Sequence, residues 1–157
     1  MARVSSSSSA RDRSLRVLLD ESFSVLRQEV PEAHRRMCAE LHGDAVAIRV
    51  DDESVVVTCD GAAMHTQDTG MTDGVSAEIR TSRKAILHVL NGHVTLTDAV
   101  LADAVGVRAS LEALVRLNRG LALYVHGAVR APSFPELLER FQRGPRSSKA
   151  RGRARRL

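Results

Sequence analysis

The stretch "VSAEIRTSRKAILHVLNGHVTLTDAVLADAVGVRASLEALVRL", residues 75–117, changes period several times, and its reading decides the fold. Val75, Ala77 and Ile79 alternate with Ser76, Glu78 and Arg80, the pattern of a strand with one apolar and one wet face. Ser82 then predicts an N-cap for a helix carrying Ile86, Leu87, Val89 and Leu90, and Asn91-Gly92 predicts its left-handed stop. Thr95 and Asp98 have capping-box spacing, with Asp in place of the commoner Glu, ahead of Leu96, Ala99, Val100, Leu101 and Ala104. The β-branched "VGVR" reads as a short strand. Ser110 opens the longest late helix, from Leu111 to about Ala128.

Upstream, Leu15, Leu18, Leu19, Leu26 and Val30 recur at helical spacing behind Ser14, the expected cap, with Phe23 beside them. Pro31 lacks a backbone donor and disfavours a helical Val30, so "PEAHRRMCAEL" reads as a second helix with Ala33, Met37 and Leu41 on one side. Val46, Ile48 and Val50 alternate, "DDES" turns, and Val55, Val57 and Cys59 alternate again, which predicts an antiparallel hairpin. "DGAAMHTQDTGMTDG" reads as turns. Downstream, Ser133 and Glu136 match a capping box for a final short helix, with Pro135 in its first turn. Helices and strands segregated in this order predict an α+β fold: a mainly antiparallel sheet of about four to five strands, covered on one face by helices.

The 157 residues, 43% apolar, suffice for one core. Residues 1–13 and 143–157 lack the apolar area to offset chain entropy and predict a disordered lead and a disordered Arg-rich tail around a domain at 14–142. The tail "RGPRSSKARGRARRL" holds seven of the 23 Lys and Arg, leaving 16 against 19 acids, so the body is about −3 despite a net charge of +4. The basic character therefore belongs to the tail, whose candidate partners are an anionic membrane surface or an acidic protein. Nucleic acid is disfavoured, because no aromatics interleave the arginines of Arg143–Leu157. Cys38 and Cys59 sit in dissimilar patterns without a secretory start, which predicts reduced thiols and a cytoplasmic protein.

Apolar positions on the long late helix, among them Leu114, Leu117, Leu121, Tyr124 and Val125, cover more than the ~100° stripe of a surface helix. Two apolar faces want two partners: the sheet, and either the terminal helix or a bound ligand. The chain has only three Phe and one Tyr, so Leu, Val and Ala must fill the interior, and such a core leaves a void easily. His34, Cys38 and His42 share one helix side, but the outer two are about 12 Å apart along an intact helix, too far to hold one ion. No metal or other cofactor is expected. No nucleophile with an oriented base, paired carboxylates or phosphate-cradling loop is visible, so no enzyme is expected.

With the strand, the Ser-capped helix, Leu90 and Gly92, the Thr-capped helix with Ala99 in its first turn, and the short strand all in order, residues from about 30 to 128 resemble a sterol carrier protein 2-like domain. In that family the short strand lies between two glycines; here Asp103 or Ala104 stands near the first place and Ala109 near the second, with Gly106 inside. The trailing "HGAVRAPSFPELLERF" is similar to the extension of some bacterial members. The resemblance implies an apolar cavity between sheet and helices that binds or transfers a sterol-like, fatty acyl or isoprenoid lipid without chemistry. On that reading Ile86, Val89, Leu90, Leu96, Val100, Leu114, Leu117, Leu121, Tyr124 and Phe134 line the site, between the sheet, helices 82–91 and 95–105, and the long helix. The alternative is an accessory module that docks on a bacterial assembly, for example of lipid or quinone biosynthesis, through its C-terminal helix and Arg-rich tail.

Overall fold

Four helices begin the way their first residues require. Ser14, Ser82, Thr95 and Ser110 each turn a side-chain oxygen onto the backbone N–H three residues on, at Val17, Ala85, Asp98 and Ala113. The computed structural model describes residues 14–68 and 74–144. Its elements in chain order are α1 (Leu15–Glu29), α2 (Pro31–Glu40), β1 (Ala45–Val50), β2 (Glu53–Cys59), β3 (Met64–Asp68), β4 (Ala77–Thr81), α3 (Arg83–Leu90), α4 (Leu96–Leu101), β5 (Gly106–Ala109), α5 (Leu111–Ala128) and α6 (Phe134–Arg143). The lead at 1–13 and nearly all of the tail lie outside the described residues. Among the described residues no helix is long and apolar enough to cross a membrane.

The sheet runs β3-β2-β1-β4-β5, antiparallel except for the central β1–β4 pair, which is parallel. Register places Ile48 opposite Val55 and Ile79, Val46 opposite Val57 and Ala77, and Val107 opposite Ile79. Those residues share one face and meet the helices; Arg49, Ser54, Arg80 and Arg108 point the other way into solvent. Ala47 and Val56 pair on that outer face and are nevertheless buried. Strand β3 lies in the segment read as turns, because "MHTQD" turns only Met64 to the core and so carries no apolar alternation. The "VSAEIRT" strand begins at Ala77 rather than Val75.

The short strand β5 needs a sharp entry, and Asp103 supplies it with φ at 57°, the left-handed region that glycine usually occupies. One expectation fails at the far end. Ser133 makes no capping bond within α6; its N–H (3.0 Å) and its hydroxyl both donate to the Glu29 carboxylate. A charged acceptor on α1 outcompetes the local cap, and the result anchors α6 to the end of α1.

Two glycines set how closely α5 crosses the first two helices. A Cβ on Gly120 would stand 2.8 Å from Leu41 Cγ, and one on Gly127 would stand 2.8 Å from Leu26 Cδ2 and 3.3 Å from Ala33 Cβ. Around this seam the interior divides. Toward one end of the sheet, Val46, Val57, Cys59 and Ile79 pack under Phe23, Leu26, Met37 and Leu117; toward the other, Val50 and Val55 pack with Leu15, Leu18, Phe134, Leu137 and Phe141. A polar clamp closes the second end. Glu53 accepts the Leu15 N–H at 3.1 Å and pairs with Arg83, whose Nη1 donates to the Phe141 carbonyl at 2.9 Å and whose guanidinium lies 4.6 Å over the Phe141 ring.

Candidate functional site

The inner sheet face and the helices above it do not close completely. Between the sheet, α1, the end of α2 and α5 lies a hollow of about 520 Å³, its mouth included. Val46, Ile48, Val57, Cys59 and Ile79 form its floor; Leu19, Phe23, Met37, Leu41, Leu117, Leu121 and Tyr124 form its walls and roof. Gly120 contributes by having no side chain. Asp44 is the single charged lining residue, and Arg116 holds it bidentately at 2.9 and 3.0 Å. That hydrogen bonding keeps the Asp44 carboxyl below the usual carboxylate range, against the opposing effect of burial.

A second hollow, of about 490 Å³ with its open mouth included, lies between α1, α3, α5 and α6. Leu18, Ile86, Leu90, Leu137, Leu138 and Phe141 line it together with Ser22 and Phe134. Leu19 and Tyr124 line both hollows. A third space is an outer groove of about 880 Å³ between α4, β5 and α5, sharing Leu117 and Leu121 with the first hollow. Its rim is open to solvent: Leu101 is 77% exposed, Val115 44% and Leu114 40%. Exposed aliphatic side chains therefore lie beside an interior apolar space.

The two cysteines are buried. Burial pushes the Cys38 thiol up to about 12, so it stays protonated, and burial lowers the pKa of the neighbouring His34. The Cys38 sulfur is 3.8 Å from His34 Nε2, and the Cys59 thiol donates to the Cys38 carbonyl at 3.4 Å. Both cysteines are free. His65 Nε2 pairs with Asp60 at 2.9 Å on the surface, and the His88 and His93 rings meet edge-on with centroids 5.7 Å apart. Among the described residues, no three His, Cys, Asp or Glu side chains converge as metal ligands.

No family model and no curated protein matches the sequence. Solved structures do match. A ubiquinone synthesis protein, UbiJ-SCP2, aligns over 72% of this chain and 93% of its own with a TM-score of 0.53 at 11% identity. A sterol carrier protein 2 aligns over 73% of this chain and 98% of its own with a TM-score of 0.51 at 14% identity. The chain has the sterol carrier protein 2 fold.

On this sterol carrier protein 2 fold the ten residues expected to line one cavity are spread over three spaces. Leu117, Leu121 and Tyr124 face the hollow above the sheet; Ile86, Leu90, Phe134 and again Tyr124 face the second; Leu96, Val100 and Leu114 face the outer groove with Leu117 and Leu121. Val89 lines none of these and is packed in the core. Helices 83–90 and 96–101 contribute no residue to the first hollow, and its walls come from α1, the end of α2 and α5. Leu19, Phe23, Met37 and the strand floor, which line that hollow, are not among the expected residues. The floor was legible as the apolar phase of the alternating strands, whereas nothing in the spacing of α1 says which sheet residues it leaves uncovered.

The Asp44–Arg116 pair makes an acid-side prediction. A carboxyl depressed on folding contributes stability that is fully present above its unfolded value near 3.9 and is lost as pH falls through the folded value. Urea midpoints should show wild type more stable than Asp44→Asn by a constant margin at neutral pH, narrowing below about pH 4. A margin independent of pH down to acid denaturation would mean that the pair contributes through packing alone.

Proposed function

We propose that the protein is a non-catalytic carrier that binds or transfers an apolar lipid, sterol-like, fatty acyl or isoprenoid, in the space between its sheet and helices, working in the cytoplasm. The observation that carries this reading is the hollow above the sheet, whose lining is aliphatic or aromatic except for the sulfurs and one carboxylate already held by Arg116. A dry apolar space of this kind accepts apolar guests. The outer groove shares Leu117 and Leu121 with the hollow, and a ligand would pass from one to the other where those two side chains turn aside. Loading from a bilayer would be assisted by the cationic tail at Arg143–Leu157, drawn to anionic headgroups. The ten aliphatic and aromatic residues named above, Val89 excepted, then act as contacts along that path rather than as one ring.

Native mass spectrometry of gently purified protein tests the reading. The expected result is adduct masses that organic extraction removes and that reappear as lipids in the extract. Ligand-free protein that also fails to bind cis-parinaric acid, a fluorescent fatty acid, would count against it.

The second reading, an accessory module in an assembly, is favoured by the UbiJ-SCP2 likeness in shape. The apolar face of α6 is buried inside the fold through Phe134, Leu137 and Phe141, so docking would use the exposed side of that helix and the tail. Pull-downs with and without residues 143–157 separate the two: capture that depends on the tail alone, with no lipid bound, supports the module.

A further inference from the structure

We infer that Tyr124, with Leu19, is a partition between the two interior hollows, and that this partition sets the length of hydrocarbon chain the protein holds. The inference rests on the carrier reading above and concerns what decides its specificity.

Two apolar hollows, about 520 and 490 Å³ with their open mouths included, share Leu19 and Tyr124 in their linings. Leu19 comes from α1 and Tyr124 from α5, so these two side chains stand at the boundary of both spaces. The tyrosine is held by three contacts. Its ring meets Phe23 edge-on at 5.9 Å on the side of the first hollow and Phe134 edge-on at 6.1 Å on the side of the second. Its hydroxyl donates to Ser22 Oγ at 2.9 Å, and Ser22 in turn donates to the Leu19 carbonyl at 2.7 Å. Burial keeps the phenol protonated, with its pKa pushed up to about 12, so the latch is present throughout the physiological range.

The position of this ring has a consequence for a ligand. A chain that fills the first hollow reaches the Tyr124 ring in its lining. Short chains lie wholly on one side. Longer chains must leave methylenes in solvent unless the partition is removed, when the two spaces become one. The residue that occupies the gap is the aromatic ring, not its hydroxyl, so the partition survives loss of the latch but not loss of the ring.

Displacement of cis-parinaric acid by octanol, dodecanol and hexadecanol from the full chain tests this. In wild type the affinity should rise from octanol to dodecanol and level off by hexadecanol. In Tyr124→Ala it should go on rising, by about fourfold for each methylene newly taken out of water. Leu19→Ala opens the wall from its other side and should extend the series in the same direction, which decides the matter if Tyr124→Ala does not fold. Tyr124→Phe should keep the wild-type plateau. Series that run parallel in all four proteins, or a uniform weakening in the alanine variants, would overturn the partition while leaving the carrier intact. Failure of every alcohol to displace the probe from the wild type, with no binding by mass spectrometry, would sink the carrier reading and this one with it.

Discussion

Leu26→Ala should lower unfolding stability by about 2–5 kcal/mol, the largest loss expected from any single aliphatic truncation in this protein. Leu26 has no exposed surface and sits beneath the α5 crossing, in contact distance of the place where Gly127 has no Cβ. Its removal leaves a void that the sheet below and the helix above cannot both collapse into. The same geometry predicts a coupled result. Gly127→Ala in the wild type forces a methyl to within 2.8 Å of Leu26 Cδ2, and that strain opposes the helix-propensity gain of about 1 kcal/mol. In the Leu26→Ala background the closer obstacle is gone and only Ala33 Cβ, at 3.3 Å, still presses on the new methyl, so Gly127→Ala should be better tolerated than in the wild type and restore at most about 1 kcal/mol. Equilibrium urea unfolding of the four proteins measures the cycle, and additive effects would show that α5 does not cross where Gly127 places it.

The second large effect is expected at Glu53. Its carboxylate serves the free N–H of Leu15 at the start of α1 and the Arg83 guanidinium at the start of α3, and through Arg83 it reaches the end of α6. The Arg83 side chain is 14% exposed and that of Glu53 27%, so the pair lies between a buried and a surface ion pair. Glu53→Ala leaves the guanidinium without its carboxylate, and a loss of about 2–3 kcal/mol follows, below the full value for a wholly buried pair. The melting temperature should fall by roughly 10 °C. Arg83→Met should cost less, because the carboxylate it leaves behind is more exposed and still accepts from Leu15. Thermal melts decide the order, and equal or reversed losses would mean that the Phe141 contacts of Arg83 outweigh the carboxylate.

What the sequence made legible follows from which signals are local. Caps at Ser14, Ser82, Thr95 and Ser110 need only a side-chain oxygen and an N–H three residues on, and all four form. The hairpin of β1 and β2 shows its alternation plainly, and its register pairs the expected apolar residues, Val46 with Val57 and Ile48 with Val55. Strand β3 was invisible because an edge strand facing solvent needs no apolar alternation, and its pairing with β2 comes from backbone bonds that any sequence can make. Ser133 was misread for a different reason. A capping box is a local pattern, and the Glu29 carboxylate that takes the Ser133 hydroxyl is more than a hundred residues away in the chain.

The site was less legible than the fold. A helix with apolar residues on two faces announces that it has two partners, and α5 does: the hollow above the sheet through Leu117 and Leu121, and α1 and α6 through Tyr124. Where the free volume falls depends on side-chain lengths from elements far apart in sequence, such as Leu19 against Tyr124 or Met37 against Ile48. Pattern alone cannot measure that remainder, which is why residues assigned to a single cavity are divided among three spaces.

One measurement reaches the central claim directly: intermolecular nuclear Overhauser effects between methyl-labelled protein and unlabelled dodecanol. If the space above the sheet holds a hydrocarbon chain, the alcohol methylenes will show contacts to the inward methyls of Ile48, Ile79 and Leu117. Contacts confined to the exposed methyls of Leu101, Leu111 and Val115, with Ile48 and Ile79 silent, would show that the chain meets only the surface and would contradict the account.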